Sequence, residues 1–174
     1  MFGSRKQKDF NDPPRAMTHE DALQYAVRAL SARSLTEHEL RRKLRARNAS
    51  EEITSGVLER LRELKFIDDA VIASRTVEDP ALGRFGVQRK LSHRGVSKPM
   101  IEDALVRRDT DAELETALGL VARHGGKWTG ERAYHKASAF LMRRGFSGDV
   151  TRRALSDWAA AKKLEEEDTE DPLE

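Results

Sequence analysis

The 174-residue sequence contains no cysteine. This absence excludes a disulfide-stapled scaffold, a thiol nucleophile and a cysteine-ligated zinc or iron–sulfur site. Hydrophobic runs are also short, and none approaches the roughly 18 apolar residues that a membrane-spanning helix requires. The first residues lack the apolar stretch of a signal peptide. We therefore expect a soluble, cytoplasmic protein that does not enter a membrane.

Aromatic residues are scarce, at 6% of the chain. Surfaces that stack nucleic-acid bases place aromatic rings within a basic groove. The candidates for such contacts are Phe85, Trp128, Tyr134 and Phe140. Phe140 precedes a leucine of an internal repeat, which favours a place in the core. For Trp128, in a glycine-rich connector, an exposed contact and a buried position are equally compatible with the sequence.

Charge of both signs is abundant, with 32 Lys and Arg against 30 Asp and Glu, and the net charge is only +2. The distribution is uneven, because residues 161–174 hold two lysines and seven acidic residues, which leaves +7 on the rest of the chain. A basic body indicates an anionic partner. The acidic tail is either a solvated spacer or a competitor for the basic face.

Apolar residues recur at a spacing of 3.6 throughout, and no segment has the alternation of a strand, so the sequence predicts an all-α protein. Thr18 is predicted to cap the first helix, and Thr36 with Glu39 forms a capping-box pattern before the second. The predicted helices span residues 19–33, 37–47, 51–65, 69–78, 83–94, 98–108, 111–124, 130–144 and 148–163.

Three segments of the chain align when Leu44, Leu91 and Leu141 are superposed. Three positions after each leucine lies an arginine, Arg47, Arg94 or Arg144. The next three positions hold Asn48, Gly95 and Gly145; then Ala49, Val96 and Phe146; and then Ser50, Ser97 and Ser147. Asn or Gly supplies the left-handed conformation that ends a helix, the next apolar residue covers the exposed end, and serine caps the next helix. Further apolar residues also align, namely Ile53, Met100 and Val150, and then Leu58, Leu105 and Leu155.

A third helix precedes each of these helix pairs. The sequence therefore predicts three tandem three-helix repeats, over residues 18–68, 69–109 and 110–163, that stack into an elongated, curved modular solenoid. A disordered extension over 1–17 and a disordered acidic tail over 164–174 are expected to flank them.

Acidic residues are absent from three windows, 40–50, 80–101 and 132–148, one in each repeat. A stripe of cations at these windows suits phosphates or an acidic protein groove. For any single arginine, a solvated face or a helix C-terminus explains the charge as well; the recurrence in all three repeats favours binding. The candidate binding residues are Arg41, Arg42, Lys43, Arg45, Arg84, Arg89, Lys90, Arg94, Arg143 and Arg144.

Catalytic patterns fail on inspection. The segment around Gly125, Gly126 and Lys127 lacks both the first glycine and the hydroxyl residue of a phosphate loop. The five histidines have no metal-ligand spacing. No set of nucleophile, base and orienting residue can be nominated, so we expect no enzyme activity, no cofactor and no metal.

Taken together, these residues resemble the RecX family of recombination regulators over roughly residues 20–160. The resemblance rests on Ala22 to Arg33 followed by Ser34, Glu39, Leu40 and Leu44; on Leu61, Leu64 and Phe66 to Asp69; on Gly83, Val87, Leu91 and Arg94 to Val96; and on Phe140, Leu141, Arg143 to Phe146 and Leu155. It implies an all-α repeat protein, monomeric, that binds the RecA nucleoprotein filament along its groove and inhibits RecA recombinase and ATPase activity. Binding to single- and double-stranded DNA alone is expected to be weak. The alternative is a free-standing helical regulator that acts on DNA without a recombinase partner.

Overall fold

The computed structural model describes residues 16–130 and 132–169, with backbone only for 163–169. Within these ranges the chain forms α-helices, one short 3₁₀ turn and no strand, which confirms the all-α prediction. Most of the predicted disordered extension, residues 1–15, lies outside the described residues. The helices are α1 His19–Ala32, α2 Glu37–Arg45, α3 Glu51–Glu63, α4 Asp69–Val77, α5 Arg84–His93, α6 Lys98–Val106, α7 Thr110–His124, α8 Ala133–Arg143 and α9 Gly148–Thr169, with the 3₁₀ turn at Gly125–Lys127.

The chain divides into two compact units, one that ends at Asp68 and one that begins at Asp69. The first unit holds α1–α3, and the second holds α4–α9. In each set of three helices the first packs against the third, as α1 does on α3, α4 on α6 and α7 on α9. Each set also encloses its own cluster of buried apolar side chains, so the helical repeat has a physical basis in three separate cores.

The residues that align between the repeats lie in these cores. Leu44, Leu91 and Leu141 are fully buried. Helices α2, α5 and α8 contain these leucines, and each helix is followed by a residue with a positive φ, namely Asn48, Gly95 and Gly145.

The helix ends also share a hydrogen bond, since the N–H of the next apolar residue donates to the carbonyl of the aligned leucine at 3.1–3.2 Å. This is the Schellman arrangement, and it confirms the predicted helix-ending turns. The apolar residues that follow the turns, Ala49, Val96 and Phe146, are buried as predicted.

Most predicted helix starts are confirmed. The hydroxyl of Thr18 accepts from the N–H of Asp21, and Thr36 and Glu39 form the reciprocal capping box. Ser50 and Ser147 accept hydrogen bonds from the third residue of the following helix.

Two helix starts differ from the predictions. Ser97 makes no capping bond, and Pro99, at the second position of its helix, has no N–H to offer. Helix α8 begins at Ala133 rather than at 130.

Helix α9 runs to Thr169, so the chain is helical at 164–169, where we expected a disordered tail. Leu164 and the three glutamates at 165–167 are strong helix formers, which explains the continuation past residue 163. Residues 170–174 lie outside the described part.

Candidate functional site

The cations of α2 lie opposite carboxylates of the same unit. The guanidinium of Arg41 binds the carboxylate of Glu37 at 3.2 Å and also that of Glu51. Arg45 binds Glu51 at 2.8 Å, and Arg62 of α3 binds Glu37 at 2.9 Å. Two of the four predicted binding residues of α2 are therefore neutralised within the fold.

The same contacts change the acidity of both carboxyl groups. Burial raises the pKa of Glu37, but hydrogen bonds from Arg62 and Arg41 outweigh it and hold that pKa below its ordinary value. The hydrogen bond from Arg45 lowers the pKa of the exposed Glu51. Both groups are therefore ionised near neutral pH, and the α2 ion pairs are formed there.

The other two predicted residues of α2, Arg42 and Lys43, form no ion pair with any residue that the structure describes. Arg42 is exposed and Lys43 is half-buried. Arg47, just past α2, places its guanidinium 4.4 Å from the ring centre of Tyr25. The first unit thus has both paired and unpaired cations on and next to α2.

The side chain of Arg84, in the second unit, binds backbone carbonyl groups. Its guanidinium donates to the carbonyls of Leu105 and Arg108 at 3.1 and 3.2 Å. Its backbone N–H donates to the carboxylate of Glu113 at 2.8 Å, which satisfies a free donor at the start of α5. Arg84 therefore joins α5 to the ends of α6 and α7.

Arg108 is not a candidate from the sequence, yet its side chain is more buried than those of the candidate cations. It is 6% exposed and donates to the carbonyls of Val77, at 2.7 Å, and Leu82. Burial lowers the pKa of the Arg108 guanidinium, while Glu113 and Asp79 raise it. Nothing in the local sequence distinguishes Arg108 from its exposed neighbour Arg107, so only the packing reveals this role.

The remaining candidates on α5 differ among themselves. Lys90 pairs with Asp79 at 3.0 Å. Burial raises the pKa of Asp79, but hydrogen bonds from the Ala81 N–H and Lys90 bring it below its ordinary value. Arg94, the residue after α5, is half-buried.

Three candidates meet where α5 crosses the end of α8. The N–H groups of Gly83 and Phe85 donate to the carbonyls of Arg144 and Gly145, each at 3.0 Å. The guanidinium of Arg89 donates to the carbonyl of Arg143 at 3.1 Å. These bonds satisfy carbonyls that the end of α8 leaves without intrahelical donors.

Glycine makes this approach possible. A Cβ added to Gly86 would lie 2.0 Å from the carbonyl oxygen of Arg144, and one added to Gly145 would lie 2.0 Å from the Gly86 nitrogen. The two backbones are therefore in direct contact, and the groups around them are held in fixed positions.

We call the group formed by Phe85, Arg89, Met142, Arg143 and Arg144 the α5–α8 surface. Phe85 is 53% and Met142 57% exposed. Within the described ranges, none of the three arginines forms an ion pair. The guanidinium of Arg144 lies 3.7 Å from the ring centre of Phe140, and this cation–π contact holds the guanidinium against the ring. The surface combines three cations without acidic partners and two exposed apolar groups.

Trp128 does not provide an exposed contact. It is 9% exposed and packs edge-on against Phe140 and Trp158, with ring centres 5.1 and 5.8 Å away. The hypothesis of an exposed Trp128 is wrong, because the connector folds back onto the third core. Phe140 is half-buried against that core as predicted, while Tyr134 is exposed.

The described residues contain no group of three or more histidines and carboxylates placed to hold a metal ion. In the same ranges, no helix combines the length and the apolar character needed to cross a membrane. Met142 is the part of the α5–α8 surface that the sequence did not indicate, since it lies between a core leucine and a candidate arginine and follows no pattern of its own.

The fold and the α5–α8 surface together define a helical-repeat protein that exposes arginines without acidic partners beside two apolar side chains. Residues 22–61 match the first three-helix domain of RecX, and residues 111–155 match its third three-helix domain. The chain is 36% identical to the regulatory protein RecX of Deinococcus radiodurans, over 84% of this chain and 74% of that protein. It is 32% identical to the regulatory protein RecX of Streptomyces coelicolor, over 96% of this chain and 89% of that one.

Among solved structures, RecX from Lactobacillus salivarius matches with a TM-score of 0.69 and 23% identity, over 80% of this chain and 95% of that chain. A second RecX crystal structure matches with the same TM-score and 24% identity, over 79% of this chain and 73% of that chain. These two likenesses support the fold. The extent and identity of the sequence matches decide the family: the chain belongs to the RecX family of regulatory proteins.

Proposed function

We propose that this chain is a monomeric, non-enzymatic regulator that binds the RecA nucleoprotein filament and inhibits RecA recombinase and ATPase activity in DNA recombination and repair. The observation that carries the proposal is family membership, with matches to both the first and the third three-helix domains of RecX. The α5–α8 surface supports it, since cations without acidic partners suit an assembly of protein and nucleic acid.

The test is a titration of RecA ATPase on single-stranded DNA with this chain, at two salt concentrations, alongside binding to the same DNA without RecA. We expect inhibition at well below one chain per RecA monomer, at concentrations that leave the bare DNA largely unoccupied. Inhibition that begins only when the DNA is saturated would contradict the proposal.

That contrary result would favour the alternative, a regulator that acts on DNA directly. Direct binding through about five phosphates loses affinity with salt at a log–log slope of about 3.5 to 4.5. The salt series on bare DNA therefore separates the two functions in the same set of measurements.

A further inference from the structure

We propose that the α5–α8 surface is a docking site for protein rather than for DNA, and that it receives a segment in which carboxylates flank an apolar side chain. The inference rests on the proposed function and assigns this contact to the protein part of the filament.

The apolar component of the surface is the first argument. Phe85 and Met142 are both more than half exposed, although each adjoins residues that pack tightly. Phe85 lies one turn before Arg89 on the same face of α5, and Arg89 contacts the end of α8. Aromatic residues, methionine and arginine are the types enriched in the buried centres of protein interfaces. DNA interfaces are more polar, and tracking of phosphates requires cations alone.

The charge of the surface indicates the chemistry of the partner. Arg89 donates to the backbone of Arg143 at the end of α8, the Arg144 guanidinium lies over Phe140, and none of the three arginines forms an ion pair with a described residue. Arg89 uses one donor on the Arg143 carbonyl, and a guanidinium carries five N–H donors. Donors remain for carboxylates, which guanidinium groups bind in a planar, two-point geometry. An acidic segment with an apolar centre therefore complements both components.

The rigidity of the surface is the third argument. The backbones of Gly86 and Arg144 are in contact, two backbone hydrogen bonds of 3.0 Å join the helices, and Arg144 rests on Phe140. A surface that is ordered before binding loses little conformational entropy when a partner docks.

The experiment compares two variants of the surface with two matched controls in the full chain. Phe85→Ala removes the exposed ring and Arg143→Glu reverses a cation, whereas Val106→Ala and Arg107→Glu make similar changes at the end of α6. Val106 is 77% exposed, and Arg107 is exposed without an ion pair to any described residue. Affinities are measured for RecA filaments on single-stranded DNA and for that DNA alone, and thermal melts verify that each variant folds.

We expect Phe85→Ala and Arg143→Glu each to weaken filament binding by about tenfold or more. Binding to bare DNA should change by less than about threefold, and both controls should bind filaments like the parent.

Variants that bind filaments like the controls overturn the inference and leave the proposed function intact. Equal losses on filaments and on bare DNA, with the salt slope lowered by about one for Arg143→Glu, make the surface a DNA contact and also overturn it. A parent chain that prefers bare DNA to filaments rejects the proposed function, and the inference with it.

A crosslink identifies the partner directly. Because the chain lacks cysteine, Met142→Cys introduces a single thiol that takes a photoreactive maleimide. We expect the label to crosslink to RecA within the filament. Crosslinks to the DNA strand alone would overturn the inference.

Discussion

The cations of α2 and those of the α5–α8 surface have similar sequence contexts, yet the fold uses them differently. Arg41 and Arg45 lie in an acid-free window, but Glu37 and Glu51 from outside the window neutralise them. Arg89 and Arg143 lie in similar windows, but neither forms an ion pair with a described residue, and the Arg89 guanidinium donates to the backbone carbonyl of Arg143 instead. An acid-free stretch of sequence therefore does not establish a free positive surface, since helices that pack beside it supply the missing charges.

The largest expected effect tests the backbone contact under the α5–α8 surface. Gly86→Ala places a Cβ 2.0 Å from the Arg144 carbonyl oxygen, so α5 and α8 must separate. We expect a loss of about 3 kcal/mol in the free energy of unfolding, measured by urea denaturation.

Gly119→Ala is the matched control, because nothing lies within 4 Å of the added Cβ on α7. It should stabilise the chain by about 0.5–1 kcal/mol through helix propensity. Equal effects of the two substitutions would contradict a direct backbone contact between Gly86 and Arg144.

The next effect separates cations that support the fold from cations that face solvent. Arg108→Met leaves the carbonyls of Val77 and Leu82 without their donor and should cost about 2 kcal/mol in unfolding free energy. The adjacent Arg107→Met should change it by less than about 0.5 kcal/mol. If both variants unfold at the same urea concentration, the buried role of Arg108 is wrong.

A smaller effect is expected from a substitution that removes an ion-pair partner of the α2 cations. Glu51→Gln removes the carboxylate that pairs with Arg45 and one of the two that pair with Arg41, which we expect to raise affinity for bare DNA by about threefold and to steepen its salt dependence. Glu59→Gln, on the same helix, removes an exposed glutamate without an ion pair among the described residues. A similar gain from both variants would mean that only net charge matters and that the specific pairs do not.

The smallest effect is the pH dependence of the Glu37 pairs. The pKa of Glu37 is lower in the fold than the value of about 4.3 that it has when unfolded. Its contribution to stability is therefore complete above about pH 4.3 and is lost as the pH falls through the folded pKa.

A partly exposed pair of about 0.5 kcal/mol corresponds to about 0.3 M in the urea midpoint. Glu37→Gln should reduce the fall in midpoint between pH 7 and pH 3 by that amount. An unchanged fall would indicate that the pairs with Arg41 and Arg62 contribute nothing to stability.

Local patterns allowed the helices and their ends to be predicted, because caps and turns depend on neighbouring residues. The aligned leucines, the capping box at Thr36 and the left-handed turn at Gly145 all follow from short spacings. Lys65 adopts the same left-handed turn after α3, with φ 58°, and its residue type gives no indication of it.

The functional surface was only partly predictable, since it depends on contacts between residues distant in sequence. The pair between Arg62 and Glu37 spans 25 positions, and the bond from Arg89 to Arg143 spans 54. The arginines of the α5–α8 surface were candidates from the sequence. Their lack of acidic partners, and the exposure of Met142 beside them, follow only from the packing.

The most direct test of the account removes equal charge from the two regions. Arg89→Gln with Arg143→Gln, and Arg41→Gln with Arg45→Gln, each remove two cations, and both double variants are measured for affinity to RecA filaments on single-stranded DNA. We predict a loss of about tenfold or more for the α5–α8 pair and less than about threefold for the α2 pair. Equal losses, or a larger loss from the α2 pair, would contradict the claim that the unpaired cations carry the binding.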